Sequence, residues 1–258
     1  MLCKICHTKN KKIFTAKVLN KYEIDYFFCD KCGFLSPSNP YWLDEAYVFS
    51  INISDSGIMK RNISFSASSL NIIYYFFNCQ KIFLDYAGGY GVFVRLMRDI
   101  GLDFKWQDNF SQNLLARGFE YCENDKKIEL ITAFEVFEHF VNPLEEIEKM
   151  LKISKNILFS TTLLPEGVPA SKDWWYYGFN HGQHVSFYSK KTFEVIAKKY
   201  NLNYCVMGNS LHILSEKKIN CFLFKLLVNR KKGLLAWIWA RIHIKSRTWD
   251  DYLLMDKK

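Results

Sequence analysis

The chain has 258 residues, 49% of them hydrophobic and 17% aromatic, so it can bury one full α/β core and a small appendage. Its net charge of +9 is concentrated at the two ends, with +4 over residues 1–31, +8 over residues 217–258 and −3 between them. A slightly acidic centre argues against nucleic acid binding along the main domain. No apolar run of about 18 residues is present, which excludes a transmembrane helix.

The start of the chain is polar and lacks the apolar stretch of a secretory signal. We therefore expect a soluble, cytoplasmic protein. Because cytosolic thiols stay reduced, the eight cysteines are not expected to form a disulfide framework. Four of them are scattered, and we expect them to be core or surface residues: Cys79, Cys122, Cys205 and Cys221.

Two Cys-x-x-Cys pairs lie near the N-terminus, and 22 residues separate them. Their members are Cys3, Cys6, Cys29 and Cys32. This spacing predicts a tetrahedral thiolate site for zinc. Four protein ligands leave no open position, so the zinc is expected to be structural. A redox dithiol or an iron–sulfur cluster is the alternative. Residues 1–37 are accordingly predicted to be a zinc-binding module.

The rest of the chain divides into three predicted regions. Residues 38–78 have the apolar spacing of a helical linker or cap. Residues 79–216 alternate strand-like and helix-like segments, which predicts a mostly parallel sheet with helices on both faces. Strands are expected at 81–86, 104–107, 129–134 and 156–161, helices at 92–100, from 111 onward and at 143–151, and a closing hairpin at 204–207 and 211–215. Residues 217–258 are predicted to be a basic, aromatic, helical tail.

A glycine-rich turn follows the first of these strands. It contains Ala87, Gly88, Gly89 and Gly91, and Asp85 precedes it. Glycine there permits positive φ and lets a ligand approach the backbone. Asp108 ends the next strand, where a carboxylate can accept hydrogen bonds from ribose hydroxyls. Val94 stands where a dinucleotide fingerprint prefers a small residue, and no Lys-Ser/Thr pair is present to hold a triphosphate.

This segment resembles the first motif of the class I S-adenosylmethionine-dependent methyltransferases, with Ala87 in place of the first glycine. The resemblance implies a Rossmann-like, mostly parallel seven-stranded sheet and S-adenosylmethionine as cofactor, with S-adenosylhomocysteine as product. It also implies that the turn wraps the methionine portion and that Asp108, with Asn109 beside it, holds the ribose.

The segment Phe134-Glu135-Val136-Phe137-Glu138-His139 is similar to a second motif of the same family. Phe134 and Glu135 are predicted to line the cofactor pocket, and an aromatic face near a sulfonium gains roughly 0.5–2 kcal/mol from cation–π attraction. Glu138 is interpreted first as a residue at a helix start. His139 is a candidate catalytic residue at the acceptor.

A later segment, His181-Gly182-Gln183-His184, follows the aromatic run 174–177 and is similar to a stretch that borders the acceptor site in related methyltransferases. Aromatic rings suit stacking on sugars, and histidine suits proton removal from a hydroxyl. His181 and His184 are therefore further candidate catalytic residues. An anionic phosphate, phosphoramidate or carboxylate acceptor would need no base.

The four-cysteine module ahead of such a domain resembles a group that methylates sugars, often nucleotide-linked. The expected function is thus methyl transfer to a small acceptor, most simply a sugar hydroxyl in capsule or lipopolysaccharide biosynthesis. An RNA or protein methyltransferase that recognises its substrate through the zinc module is an alternative, as is a non-catalytic interaction module. The tail is expected to dock on the core or on a second subunit, with peripheral membrane contact as the alternative.

Overall fold

The computed structural model describes residues 1–49, 51–52, 55–123, 127–168, 173–229 and 231–256. Its strands, in chain order, are β1 (Lys11–Val18), β2 (Tyr22–Phe28), β3 (Phe34–Pro37), β4 (Ile82–Tyr86), β5 (Asp103–Gln107), β6 (Ile128–Phe134), β7 (Asn156–Ser160), β8 (Phe187–Tyr188), β9 (Asn203–Met207) and β10 (Leu211–Ser215). Its helices are α1 (Leu43–Ala46), α2 (Ile58–Phe76), α3 (Val92–Ile100), α4 (Pro143–Ile153), α5 (Lys190–Lys199), α6 (Cys221–Val228), α7 (Leu234–His243) and α8 (Thr248–Met255).

The central sheet has six strands among the described residues, in the order β5-β4-β6-β7-β10-β9. The first four are parallel, and β10 runs antiparallel to both β7 and β9. The chain moves outward from β4 to β5 and then returns to the other side of β4 with β6. Such a reversal opens a crevice at the carboxyl ends of the strands. The predicted Rossmann-like α/β architecture and closing hairpin are confirmed.

Two details of the sheet prediction were wrong. Among the described residues the central sheet has six strands where seven were expected, and the segment from 111 to 123 forms turns and a single bridge where a helix was expected. Glu120 makes a parallel bridge to Trp106 at the β5 edge, and the flanking backbone hydrogen bonds measure 2.8 Å. A seventh strand is thus reduced to one bridge, because the polar and glycine-containing segment around Gly118 supplies too few apolar residues to extend it.

The core lies on both faces of this sheet. Successive residues of β4 point to opposite sides, so Phe83 packs with α2 and α3 while Leu84 packs with α4 and α5. All five residues of β7 are buried, as expected for a strand covered on both faces. The strands that carry the site are therefore packed on both faces of the sheet.

The N-terminal sheet has the order β1-β2-β3-β8 among the described residues. Its last strand comes from the segment just after His184, so the cysteine-containing region and the main domain share one sheet. The Cys32 carbonyl also accepts a 2.9 Å hydrogen bond from Thr192 Oγ1 at the start of α5. The domain boundaries proposed from the sequence remain predictions.

The tail docks on the core, as expected. Asn71 on α2 donates to the Leu227 and Gly233 carbonyls at 2.9 and 3.1 Å. Arg98 on α3 forms a buried ion pair with Asp251 on α8. Arg230, within the basic linker of the tail, lies outside the described residues. No helix in the described part of the chain is long and apolar enough to cross a bilayer.

The expectation of reduced cysteines was wrong at one place. Cys205 on β9 and Cys221 at the start of α6 are joined in a disulfide. The β9–β10 hairpin turns the chain back, so that the start of α6 lies beside β9 although the two cysteines are 16 residues apart. The spacing of the cysteines in the sequence did not indicate this proximity. The bond ties the first helix of the tail to the sheet.

Candidate active site

A cavity of ≈ 1380 Å³ opens at the carboxyl ends of β4, β5 and β6. Pockets for one drug-sized ligand are about 300–1,000 Å³, so this cavity has room for a cofactor and an acceptor. It brings together nearly all of the side chains singled out in the sequence, with Gly91 outside the lining. The lining includes Asp85, Ala87, Gly88, Gly89, Asp108, Asn109, Phe134, Glu135, Glu138, His139, His181 and His184.

The turn after β4 depends on its small residues. Ala87, Gly89 and Gly91 all have positive φ, at 55°, 54° and 82°. A Cβ on Gly88 would lie 2.7 Å from Asp85 Oδ2 and 2.9 Å from Trp106 Cδ1. Trp106 Nε1 in turn donates a 2.9 Å hydrogen bond to the Gly89 carbonyl. The turn is therefore held open to the cavity by close packing that only glycine allows at position 88.

Asp85 lies beneath this turn and is only 3% exposed. Its Oδ1 accepts a 2.6 Å hydrogen bond from Thr132 on the neighbouring strand β6. Burial raises the pKa of Asp85 to about 7, and the nearby Asp108 carboxylate adds to the increase. A cationic group that binds beside Asp85 would favour the charged carboxylate.

Asp108 follows β5 and organises the next loop. Its Oδ1 accepts from the Phe110 and Ser111 amides at 2.7 and 2.8 Å, and its Oδ2 accepts from the Gly89 amide at 2.9 Å. A carboxylate has about four acceptor sites, so Oδ2 retains the capacity for one further donor. This geometry suits one ribose hydroxyl on Oδ2 rather than a pair of hydroxyls on both oxygens.

Phe134 and Glu135 end β6 at the cavity. The Phe134 ring stacks on Phe65 of α2 with centroids 4.3 Å apart, so one of its faces is already covered. Glu135 has a φ of +55°, a strained value for a residue with a side chain. Its amide donates to Ser160 Oγ at 2.8 Å, and Ser160 Oγ donates back to Glu135 Oε1 at 2.5 Å. These two hydrogen bonds fix the turn at Glu135, after which the chain continues to Glu138 and His139.

The cavity lining also contains Glu138, His139 and His184, and one oxygen or nitrogen atom of each side chain lies within 4.8 Å of the other two. Glu138 is fully buried, and burial together with the nearby Glu135 raises its pKa to about 8. Tyr176 donates to Glu138 Oε1 at 2.7 Å. Glu138 is thus a member of the cavity wall, and the interpretation of it as a plain helix-start residue is incomplete.

The three histidines present different ring nitrogens. His184 Nδ1 lies 2.6 Å from the Tyr176 carbonyl, so this Nδ1 carries the proton and Nε2 has a lone pair. His139 Nδ1 lies 2.7 Å from the Tyr47 hydroxyl and 3.2 Å from the Gln183 carbonyl, and only the tautomer with the proton on Nδ1 leaves its Nε2 with a lone pair. His181 Nδ1 instead accepts from the Gln183 amide at 3.2 Å, which leaves a proton on Nε2. By tautomer, His184 is therefore a better proton acceptor than His181, and His139 is one when its proton is on Nδ1.

Burial makes these rings weak bases. It lowers the pKa of His139 to about 4, lowers that of His184 well below its usual value and also lowers that of His181. All three are neutral at pH 7. A general base works best with a pKa near the operating pH, so proton removal by His139 or His184 needs help from another group.

The aromatic run is mostly structural. Trp174, Tyr176 and Tyr177 are buried, and Trp175 alone of these four is exposed, at 81%. Of the four, only Trp175 and Tyr176 line the cavity. Stacking on a sugar is thus available to Trp175, while Tyr176 positions Glu138 and His184.

Several site residues were not identified from the sequence. Tyr47 donates to or accepts from His139 Nδ1 at 2.7 Å, and Gln183 Nε2 donates to the Ala46 carbonyl at 2.9 Å. Trp42 Nε1 donates to the Gly182 carbonyl at 2.7 Å. The only signal in the sequence was the concentration of aromatic and polar residues around positions 41–47 and 174–184.

The four N-terminal cysteines meet in space. Cys3 and Cys32 have their sulfurs 3.4 Å apart, as do Cys6 and Cys29, and all four sulfurs lie within 4.8 Å of one another. Tetrahedral zinc with bonds of about 2.3 Å needs sulfurs about 3.8 Å apart, so the set fits this ion. Its soft thiolates and its closed shell of buried neighbours both suit a structural metal.

A mostly parallel sheet that reverses beside β4, a glycine turn after that strand and a carboxylate after the next define a Rossmann-like, S-adenosylmethionine-dependent methyltransferase. A family model described as a methyltransferase domain matches residues 65–205, more than half of the chain, and the chain belongs to that family. No curated protein sequence matches it.

Similarity to solved structures is distant. OxaC in complex with sinefungin and meleagrin is 18% identical, with 52% of this chain and 41% of that chain covered and a TM-score of 0.38. An O-methyltransferase family protein from Burkholderia thailandensis is 14% identical, with 64% of this chain and 59% of that chain covered and a TM-score of 0.47. Magnesium protoporphyrin IX methyltransferase from Synechocystis PCC 6803 with bound SAH is 11% identical, with 67% of this chain and 92% of that chain covered and a TM-score of 0.46. The chain spans less than two thirds of the first two proteins, and these similarities carry no argument about its substrate.

Proposed function

We propose that this methyltransferase transfers the methyl group of S-adenosylmethionine to a hydroxyl of a small acceptor, a sugar or sugar-linked metabolite of surface polysaccharide biosynthesis. The observation that carries the proposal is the division of one cavity into two chemically different ends. One end has the glycine turn with Asp85 and Asp108, and the other has neutral histidines and Trp175. The first suits a nucleoside-bearing cation, and the second suits a polar acceptor.

At the cofactor end, the α-amino group of the methionine portion would lie along the turn formed by Ala87, Gly88 and Gly89, above the buried Asp85. The ribose would donate to Asp108 Oδ2, beside Asn109. Phe134 and Glu135 would border the sulfonium, with the uncovered part of the Phe134 ring available for cation–π attraction. Bound in this way, the methyl group faces the end of the cavity that contains the histidines.

Methyl transfer is an in-line displacement from a positively charged sulfur, so alignment of the two reactants is the main task of the enzyme. Well-oriented binding can supply about 7–11 kcal/mol of the barrier. Trp175 would stack on the acceptor ring, and the Nε2 proton of His181 would hold one of its oxygens. His139 or His184 would receive the hydroxyl hydrogen bond through a free Nε2 lone pair.

The four cysteines are proposed to hold one structural zinc ion per chain. The fit of the four sulfurs to a tetrahedral ion supports this, and so does the continuity of their sheet with β8, which follows the loop of His181 and His184. The zinc would stabilise the position of that loop and would take no part in the chemistry.

The test of the cofactor assignment is calorimetry with S-adenosylhomocysteine. The wild-type chain should bind with a dissociation constant in the micromolar range, and Asp108→Ala should weaken binding about 10- to 100-fold, because hydrogen bonds to charged groups contribute about 1.5–3 kcal/mol. Asp44→Ala is the matched control, since Asp44 is an exposed carboxylate on α1 that lines the same cavity.

Two outcomes would contradict these assignments. Equal affinity in the Asp108→Ala and wild-type proteins would remove the ribose role, provided that both have the same melting temperature. Labelled methyl transfer to nucleotide-linked sugars is expected. Transfer to RNA or protein instead would replace the sugar proposal, and transfer only to a phosphate or phosphoramidate group would indicate an anionic acceptor.

A further inference from the structure

The cluster at the acceptor end has one buried oxygen without a partner. Glu138 is fully buried, Tyr176 satisfies its Oε1, and Oε2 has no hydrogen-bond partner within the described chain. An unpartnered carboxylate oxygen in such a place is costly, and an ion or a water is the usual explanation. One ring nitrogen of His139, one of His184 and a carboxylate oxygen of Glu138 all lie within 4.8 Å of one another.

From this geometry we infer that Glu138, His139 and His184 form a binding site for a divalent transition-metal cation at the acceptor end of the cavity. Two imidazoles and one carboxylate are a common ligand set for such ions when open coordination positions are needed. All three residues line the cavity, so open positions would face the acceptor. The site is distinct from the four-cysteine cluster, whose thiolates leave no open position.

The surroundings of the histidines match those of metal ligands. The Tyr176 carbonyl accepts from His184 Nδ1, and the Gln183 carbonyl and the Tyr47 hydroxyl contact His139 Nδ1. A metal-binding histidine is normally held in this way through its other ring nitrogen, which fixes the tautomer. With the proton of each ring on Nδ1, both Nε2 lone pairs are available for a cation.

The distances require a small closure. Two ligands bound to the same ion at about 2.1 Å each can be at most roughly 4.2 Å apart. Because the ligand atoms lie up to 4.8 Å apart, binding of one ion requires them to move closer by several tenths of an ångström. Side-chain rotation of the mostly buried His139 and His184 can supply these movements, while Glu138 stays fixed by Tyr176.

Coordination of the acceptor hydroxyl by this ion would replace the direct hydrogen bond from that hydroxyl to His139 or His184, and this part of the inference rests on the proposed function. Coordination of the acceptor hydroxyl to the ion lowers the pKa of that hydroxyl. Its O–H bond breaks and the proton passes to water in the cavity. The oxygen lone pair then forms the O–CH₃ bond as the S–CH₃ bond breaks, and the electron pair of that bond stays on the sulfur of S-adenosylhomocysteine.

The experiment is a titration with Mn²⁺ of the full-length chain carrying one equivalent of zinc, which fills the cysteine site; the electron paramagnetic resonance signal of the free ion is followed. Mn²⁺ prefers oxygen and nitrogen to thiolate ligands, so the cysteine cluster does not compete. We expect one bound ion per chain, with affinity reduced at least 10-fold in Glu138→Gln and in His184→Ala. Glu145→Gln, which removes another carboxylate of the cavity lining, should bind as the wild type does.

A second measurement needs no variant. Pulsed resonance of Mn²⁺ bound to the wild-type chain should show coupling to imidazole nitrogen. Absence of that coupling, or equal binding in Glu138→Gln and wild type, would overturn the site.

Calorimetry with S-adenosylhomocysteine on the same samples separates the two proposals. Cofactor binding without Mn²⁺ binding would remove the metal site alone. Mn²⁺ binding without cofactor binding would remove the proposed function and keep the site.

Discussion

Asp85 shows how a single buried residue connects fold and cofactor binding. It lies near the end of β4 under the glycine turn, is 3% exposed and accepts a 2.6 Å hydrogen bond from Thr132. Its position one strand away from Asp108 puts two carboxylates near each other, and burial raises the pKa of Asp85 to about 7. The free protein therefore holds a carboxyl group that is poised between its neutral and charged forms.

This pKa predicts a pH dependence of stability. The folded state binds the Asp85 proton more tightly than the unfolded state, so the free energy of unfolding falls as pH rises from about 4 to about 7. The shift corresponds to about 4 kcal/mol at most. Asp85→Asn should flatten this part of the curve and make the ligand-free protein more stable than wild type at pH 8, as measured by urea unfolding at pH 4.5, 6 and 8.

The matched control for this prediction is Glu216→Gln, which removes an exposed carboxylate just after β10. Its curve should run parallel to that of the wild type. If the Asp85→Asn curve also runs parallel to the wild-type curve, the buried carboxyl group does not titrate as described.

At the residue scale, the sequence predicted which side chains meet but not their hydrogen bonds. Asp85, Asp108, Glu135 and His139 follow strand ends that the alternating pattern places on one edge. That Asp108 is already bound by three backbone amides depends on the conformation of its loop. A loop conformation results from many weak local contacts, and a residue pattern does not specify it.

At the scale of elements, the contact between α3 and α8 is the best defined link of the tail. Arg98 is 2% exposed and forms a bidentate pair with Asp251, with donor–acceptor distances of 2.8 and 2.7 Å. Its guanidinium also donates to Asp103 at 2.5 Å and lies 3.6 Å from the Phe119 ring centroid. The last helix thus docks through a charge pair shielded from solvent.

Removal of one partner of this pair should be costly. Asp251→Ala leaves the buried Arg98 with Asp103 as its remaining charged partner and should lower the free energy of unfolding by about 3 kcal/mol. Asp250→Ala, an exposed neighbour in the first turn of the same helix, should cost less than about 1 kcal/mol. Urea unfolding measures both, and equal values for the two variants would show that the pair does not hold the helix.

Strongly patterned elements were predicted well, and short or polar ones were not. The helix at 92–100 and the hairpin at 204–215 have the predicted bounds within one residue, because their apolar periodicity is clear. The expected helix from 111 is missing from the described segment 111–123, where Ala116 is buried beneath the turn and Asn113 Oδ1 accepts from its amide. Local side-chain hydrogen bonding there replaces a helical ladder.

At the scale of the whole molecule, the cysteine cluster is part of the framework around the active site. β3 pairs with β8, and the Cys32 carbonyl is bound by Thr192 at the start of α5. Gly33 has a φ of +72°, and a Cβ there would lie only 2.1 Å from Ser189 Oγ. The four cysteines and the loop of His181 and His184 are therefore mechanically connected.

The zinc proposal predicts a loss of overall stability when a ligand is removed. Metal analysis should find about one zinc per chain in the wild type and much less in Cys29→Ser. The melting temperature of this variant should fall by roughly 5 °C or more, since structural zinc contributes folding free energy. Cys122→Ser, at an exposed cysteine outside the cluster, should keep both values. Full zinc content in Cys29→Ser would refute the ligand set.

The sequence by itself determined the α/β class, the methyltransferase motifs and the pairing of Cys3 and Cys6 with Cys29 and Cys32, because hydrophobic period and motif spacing are local properties of the chain. Tertiary structure decided the contacts between distant segments. It joined Cys205 to Cys221, reduced the seventh strand to one bridge and placed Glu138 beside His184, which is 46 residues away in the sequence. Such contacts depend on how whole elements pack, and packing is a property of the complete fold rather than of any one segment.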